Sequence, residues 1–181
     1  KNVEGLDERI IEYKWIFNEL KNTKRGLNLL DAGSTINFPE IISRLKDNFK
    51  ITIQTLYPEN YCFYDQSISY HYDDLSKKLF NQHTFDVVTC ISTLEHVGFN
   101  NNIYNYKKIK LKKNKNNYLE VIKNFKNLLK PNGKLLLTIP YGKHKKFKNF
   151  QIFNQKMLSK IVQTFKPKKY KISYVRYYYG S

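Results

Sequence analysis

Two short clusters in this chain have the residue types and spacing to do chemistry. The first is Asp31-Ala32-Gly33-Ser34-Thr35, a carboxylate, a glycine and two hydroxyls that close the apolar run Leu27-Asn28-Leu29-Leu30. Gly33 reaches backbone angles closed to other residues and lets a ligand approach the main chain. The free amides at the start of a following helix favour an anionic group. Strand, carboxylate, glycine turn and helix together are how a pocket for a nucleotide-type ligand begins, with an ordinary tight turn as the competing reading. The second cluster is Glu95-His96, just past the apolar run Phe85-Asp86-Val87-Val88-Thr89-Cys90-Ile91. An imidazole titrates in the range suited to a general base, and the neighbouring carboxylate can orient it or contact a ligand. A histidine that merely caps the strand end is the plainer alternative. Tyr141 and His144, farther along, are additional candidate contacts.

The elements that must position these groups follow from periodicity. Ile10, Ile11, Trp15, Ile16, Phe17 and Leu20 recur at helical spacing, which predicts an N-terminal helix over 8–20 covering one edge or mouth of the domain. After Gly33, Asn37 and Glu40 form a capping-box-like pair with Pro39 in the first turn, and Ile41, Ile42, Leu45 and Phe49 supply one buried helical face. Strands are expected at 51–56, ended by Tyr57-Pro58, at 68–72, and at 85–91, a β-branched run that reads as buried on both faces. A helix over 118–129, stopped by Pro131-Asn132-Gly133, leads into a strand over 134–139. A helix over 154–165 and a tyrosine-rich strand at about 170–178 complete the series. Strand and helix alternate, so the expected fold is α/β, a three-layer Rossmann-like sandwich with a mainly parallel sheet covered on both faces. Ligands collect at the carboxyl ends of such strands.

The chain has 181 residues and a formal charge of +17, a length that suits a single core. Such a charge would ordinarily point to nucleic acid, an anionic membrane surface or an acidic substrate. Yet 28 of the 32 basic residues are lysine, and Lys, Asn, Ile, Tyr and Phe, all with AT-rich codons, supply 92 of the 181 residues. Much of the charge therefore reads as compositional. Lys107, Lys108, Lys110, Lys112, Lys113 and Lys115 crowd the loop after the fourth strand, and Lys143, Lys145, Lys146 and Lys148 follow the fifth. Both groups fall on the expected active face, either to attract an anionic substrate or as a solvated lid; Lys166, Lys168, Lys169 and Lys171 fall on the opposite face. Cys62 and Cys90 lie too far apart to suggest a disulfide framework or a metal site, which fits a reducing cytoplasm. The acidic start has no signal-peptide core, no run approaches a membrane span, and the ends read as those of a fragment.

The order of motifs over roughly residues 25–178 resembles a class I S-adenosylmethionine-dependent methyltransferase. Four segments carry the resemblance: Leu29-Leu30-Asp31-Ala32-Gly33-Ser34; Asp74-Leu75; Phe85-Asp86-Val87-Val88 through Ser92-Thr93-Leu94-Glu95-His96-Val97-Gly98; and Leu128-Leu129-Lys130-Pro131-Asn132-Gly133 through Ile139-Pro140. It implies a helical segment at 1–24 before a methyltransferase domain at 25–181. By resemblance, Asp31, Ala32, Gly33 and Ser34 line the methionine end of the cofactor, Asp74 accepts a hydrogen bond from the adenine amino group, and Leu75 packs on the ring. Thr55 and Ser92, at the ends of strands two and four, complete the cofactor set, and Glu95 and His96 are the catalytic candidates. A turn or helix cap is the competing role for Asp74. The chain departs from the pattern by keeping one glycine after the first strand and by placing Thr55-Leu56-Tyr57-Pro58 where an acid usually clamps the ribose, with Glu59 the nearest acid. The closing antiparallel strand pair of the family also lacks one member. The implied activity is methylation of a small molecule or sugar; a non-catalytic module or an RNA-binding or RNA-methylating protein is the alternative.

Overall fold

The computed structural model describes residues 8–99 and 117–176. Its elements in chain order are α1 (Glu8–Leu20), β1 (Leu27–Ala32), α2 (Pro39–Leu45), β2 (Phe49–Thr55), β3 (Ser69–Tyr72), β4 (Phe85–Cys90), α3 (Asn117–Leu128), β5 (Leu129–Leu137), the two-residue strands β6 (Lys145–Lys146) and β7 (Gln151–Ile152), and α4 (Gln155–Phe165). Strands β1 to β5 form one parallel sheet in the order β3-β2-β1-β4-β5, and β6 pairs with β7 in an antiparallel hairpin.

Successive side chains of a strand point to opposite faces, and the core divides accordingly. Leu29, Ile51, Ile53 and Val87 meet Ile16 and Leu20 of α1 and Ile41, Ile42 and Leu45 of α2 on one face. Leu30, Ala32, Val88 and Cys90 meet Val121, Ile122, Phe125 and Leu128 of α3 and Ile161 of α4 on the other. This is the expected three-layer α/β architecture. Complete burial of residues such as Phe125, Leu30 and Ile122 contributes about 1.5–3 kcal/mol each. The chain moves outward from β1 to β3 and then returns across β1 to β4, which creates a switch point where the loops after β1 and β4 diverge.

Several local expectations need correction. Phe38, not Asn37, is the residue before α2, and it makes no side-chain cap. Asn37 is drawn away by tertiary partners: its amide donates to the Tyr61 carbonyl at 3.0 Å and its oxygen accepts from the Tyr70 hydroxyl at 2.8 Å. Phe49 belongs to β2 rather than to the helix. Ile10 and Ile11 are exposed, because α1 buries the stripe Glu12, Ile16 and Leu20 instead. Leu129 already pairs with Phe85, so β5 begins before Pro131-Asn132-Gly133 and absorbs that segment as an irregularity, with Asn132 at φ 63°. The expected strand at 170–178 is absent through residue 176: Tyr170, Ile172, Tyr174 and Val175 are exposed and pair with no strand. Tyr177 and Tyr178, like Lys107 to Lys115, lie outside the described residues. Among the described residues no helix is long and apolar enough to cross a membrane.

Candidate active site

The carboxyl ends of β1 and β4 are tied together through buried hydrogen bonds. Asp31, fully buried at the end of β1, accepts from the Ile36 amide at 2.9 Å and from the Thr89 hydroxyl of β4 at 2.9 Å. Burial pushes its carboxyl up to about 6, against the lowering effect of those two donors. Oδ2 therefore braces the loop after β1 from within, and Oδ1 ties β1 to β4. Ile91, just past β4, accepts at its carbonyl from the hydroxyls of Thr35 (2.9 Å) and Thr93 (2.8 Å). Gly33 has φ 116° and its amide donates to the Gln54 carbonyl at 2.8 Å; a Cβ there would collide with the Thr93 side chain. The bare glycine thus admits the neighbouring loop as well as an unusual turn. Ser34 and Ser92 also hold left-handed angles, φ 62° and 42°, so strain gathers in the two loops that flank the switch point.

Helix α1 supplies a group that sequence reasoning missed. Glu12 is buried, and its Oε1 accepts from the hydroxyls of Ser92 (2.7 Å) and Thr138 (2.6 Å), while Oε2 pairs with Arg9 at 3.1 Å. Tyr13 donates from its hydroxyl to the Thr35 carbonyl at 2.8 Å. The first turns of α1 are therefore fastened to the loops after β1, β4 and β5, which is the mouth position expected for this helix. A carboxylate in register with Ile16 and Leu20 on the buried stripe was the available signal for Glu12.

Glu95 sits in a short 3-10 turn, Leu94–His96, and is 5% exposed. Burial pushes its carboxyl up to about 8, and the charge of Glu12 acts in the same direction. Near neutral pH the side chain holds a proton. His96 lies half-buried beside it, with Nδ1 2.9 Å from the Asn149 carbonyl, past β6, and its ring centroid 6.0 Å from that of Phe150. A carbonyl only accepts, so Nδ1 carries the hydrogen and Nε2 the lone pair of the neutral ring. Burial lowers the pKa of His96, which keeps that neutral form at pH 7.

On the β2 side of β1, Gln54 is buried at the end of its strand, its amide nitrogen donating to the Asp74 carbonyl at 3.1 Å. Asp74 uses Oδ1 to cap its own loop, accepting from the amide and hydroxyl of Ser76 at 2.8 and 2.7 Å. Leu75 is 6% exposed within the core facing α3. Glu59 folds back past Pro58, and its Oε1 lies 3.5 Å from the Thr55 hydroxyl. An amide following the alternating run Ile51-Thr52-Ile53, on a strand buried between β1 and β3, is the signal for Gln54. Tyr141 and His144 stand apart from this cluster on the hairpin side, Tyr141 bonded to Gln155 and His144 to the Ile152 carbonyl.

Among the described residues, three buried side-chain polar atoms have no hydrogen-bond partner: Ser34 Oγ, Gln54 Oε1 and Glu95 Oε2. All three stand at or just past the carboxyl ends of β1, β2 and β4, on the same edge of the sheet. Buried polar atoms are ordinarily paired, and each orphan costs about 1–3 kcal/mol. No cluster of three or more His, Cys, Asp or Glu residues able to hold a metal occurs among the described residues.

No protein-family profile and no curated protein sequence matches the chain. Its likeness is to solved structures. The cyclase SpnF superposes with a TM-score of 0.64 at 13% identity, over 91% of this chain and 60% of that one. The 1,6-didemethyltoxoflavin-N1-methyltransferase of Burkholderia thailandensis, with 1,6-didemethyltoxoflavin and S-adenosylhomocysteine bound, gives 0.59 at 13% identity, over 87% and 66%. Phosphoethanolamine N-methyltransferase 2 of Haemonchus contortus, in complex with S-adenosyl-L-methionine, gives 0.56 at 15%, over 91% and 42%. The chain thus spans between 42% and 66% of the length of these three proteins. It has the Rossmann-like α/β fold of the class I S-adenosylmethionine-dependent methyltransferases.

Proposed function

We propose that this chain binds S-adenosylmethionine at the switch point between β1 and β4 and catalyses methyl transfer to a small-molecule or sugar nucleophile. The observation that carries the reading is the set of orphaned acceptors at the strand ends, Ser34 Oγ, Gln54 Oε1 and Glu95 Oε2. S-adenosylmethionine presents an ammonium group, two ribose hydroxyls and an adenine amino group, all donors that such acceptors satisfy. Ser34 would serve the end nearest Gly33; Gln54, with Thr55 and the folded-back Glu59, would serve the ribose in place of the usual acid; Asp74 would serve the adenine through Oδ2. Asp31 and Gly33 act one step removed, by holding the loop that presents Ser34. Leu75 offers only its small exposed remainder to the ring, and Ser92 joins the site through Glu12.

When bound, the cofactor supplies an activated methyl group on a sulfonium, so the chain has chiefly to align, to exclude water and to move one proton. Helix α1 covers the mouth through Glu12 and Tyr13 and limits water there. His96, held as the neutral ring, would take the proton of a hydroxyl as it attacks, or of an ammonium group before the freed amine attacks. Glu95, protonated at neutral pH, stays uncharged until a donor reaches Oε2 and makes the carboxylate favourable. SpnF shows that this fold also hosts a cyclase, so the reaction is argued from these residues and not from the fold.

Calorimetric titration of S-adenosylhomocysteine into the chain tests the reading. Micromolar affinity, reduced at least tenfold in Gln54→Leu and Asp74→Ala variants that keep their circular dichroism, is the expected result. A folded chain that binds no S-adenosylhomocysteine overturns it.

A further inference from the structure

The two halves of the chain differ in charge. Residues 1–95 hold 14 of the 15 acidic residues and 11 of the 32 basic ones; residues 96–181 hold 21 basic residues against Glu120 alone. Compositional bias acts along a whole chain and explains an excess of lysine, but it does not strip carboxylates from one half. An asymmetry of this kind points to a polyanionic partner.

The fold collects the described part of the basic half on one flank, formed by α3, β5, the β6–β7 hairpin, α4 and residues 166–176. Lys130 pairs with Asp86 and Lys134 with Glu19; the other 13 basic residues described after Glu120 have no carboxylate within 4.0 Å among the described residues. The upper end of the flank is the hairpin, held against the site by the Asn149 carbonyl on His96. Its lower end is Lys168, whose Nζ lies 3.3 Å from Asn132 Oδ1 near the start of β5. Between them residues 168–174 climb past β5, so that the Tyr174 ring comes to 5.1 Å from that of Tyr141.

Aromatic rings are interleaved with these lysines. Tyr141, Phe147, Tyr170 and Tyr174 are all exposed, between 38% and 64%. Phe147 stacks on Phe150 with centroids 4.4 Å apart and planes 10° off parallel, and the Lys145 ammonium stands 5.0 Å from the Phe147 centroid. Exposed rings beside unneutralised ammonium groups suit a chain of phosphates with unstacked bases. A membrane surface shares the charge but calls for an apolar helix face to insert, and the apolar residues of α4, Met157, Ile161 and Phe165, are already packed on the core.

We propose that this basic flank binds single-stranded nucleic acid, with the lysines following the phosphates and Tyr141, Phe147, Tyr170 and Tyr174 stacking on bases. The surface goes beyond the methyl-transfer reading and does not depend on it. Lysine meets phosphate as a point charge, so the binding follows the backbone without selecting a sequence.

The test is fluorescence anisotropy with a labelled oligouridylate of about 20 nucleotides, long enough to span such a surface. Micromolar binding is expected at about 50 mM salt. With about five phosphates contacted and a slope near 0.7 per contact, affinity falls about 100-fold by roughly 200 mM. Lys143→Glu, Lys145→Glu, Lys146→Glu and Lys148→Glu together reduce affinity at least tenfold, whereas Lys21→Glu with Lys24→Glu, on the acidic half, does not. Tyr170→Ala with Tyr174→Ala weakens the oligonucleotide but not heparin, which has charge without bases. Four results would overturn the proposal: no binding at low salt, no salt dependence, full affinity in the hairpin variant with retained circular dichroism, or displacement of the oligonucleotide by anionic phospholipid vesicles at equal charge. S-adenosylhomocysteine affinity, measured on the same variants, stays unchanged and separates this surface from the cofactor site.

Discussion

Replacing Glu95 by Gln preserves the shape of a buried side chain and abolishes its titration, so it isolates the free energy tied up in that acid. Burial moves the carboxyl from its ordinary 4.5 to about 8. Between those values the unfolded chain has released the proton while the folded chain retains it. The contribution of Glu95 to stability is therefore full below about pH 4.5 and is lost as pH rises through 8. At roughly 1.4 kcal/mol per pH unit the span corresponds to about 5 kcal/mol, which relaxation and entering water bring nearer to 3. Other groups, including Asp31, titrate equally in both proteins and cancel in the comparison. Urea unfolding followed by the fluorescence of Trp15, the single tryptophan, which packs on the α1 side of the core, provides the measurement. Wild type and Glu95→Gln are expected to agree within about 1 kcal/mol at pH 4.5, and the variant to be more stable by about 3 kcal/mol at pH 8.5. A difference that stays constant between the two pH values would refute the argument, because it would show that Glu95 ionises freely in the fold.

The same reasoning extends to three other sites, each measured by urea unfolding. Glu12→Ala removes the acceptor shared by Ser92 and Thr138 and the partner of Arg9, and is expected to cost about 2–4 kcal/mol, with Glu12→Gln recovering about half. Thr89→Val leaves Asp31 Oδ1 without its donor, costs about 1–3 kcal/mol, and moves the Asp31 carboxyl above its value of about 6, which carbon-13 NMR titration reads directly. Gly33→Ala combines a φ of 116° with a collision at Thr93 and costs about 2–4 kcal/mol; Thr93→Ala in the same chain relieves the collision but not the backbone strain.

Burial on both faces made β1 and β4 legible, since Leu29-Leu30 and Val87-Val88 have no polar side to mislead the reader, and the alternation of such strands with helices led to the sheet. Local signals failed wherever a tertiary partner outbid them. Asn37 looks like a cap until Tyr70 arrives from β3, and the tyrosine-rich stretch at 170–176 has strand propensity but no strand beside it to pair with. The hairpin of β6 and β7 is too short to leave a pattern. Of the candidate site, Gly33, Ser34, Glu95 and His96 were readable because a strand end announces them. Gln54 and Glu12 are not legible in the same way, because a single polar residue on an apolar stripe gains its role only from burial and partners that tertiary packing supplies: Gln54 at the end of β2, and Glu12 on α1 against Ser92 and Thr138.

In the proposed function a cofactor completes the orphaned strand-end acceptors. A crystal structure of the chain grown with S-adenosylhomocysteine tests it most directly. The ligand is expected between the loops after β1 and β4, with donors within about 3.2 Å of Gln54 Oε1 and Ser34 Oγ. Ligand bound elsewhere, or a switch point in which those two oxygens bond only to water while the ligand is present, would contradict it.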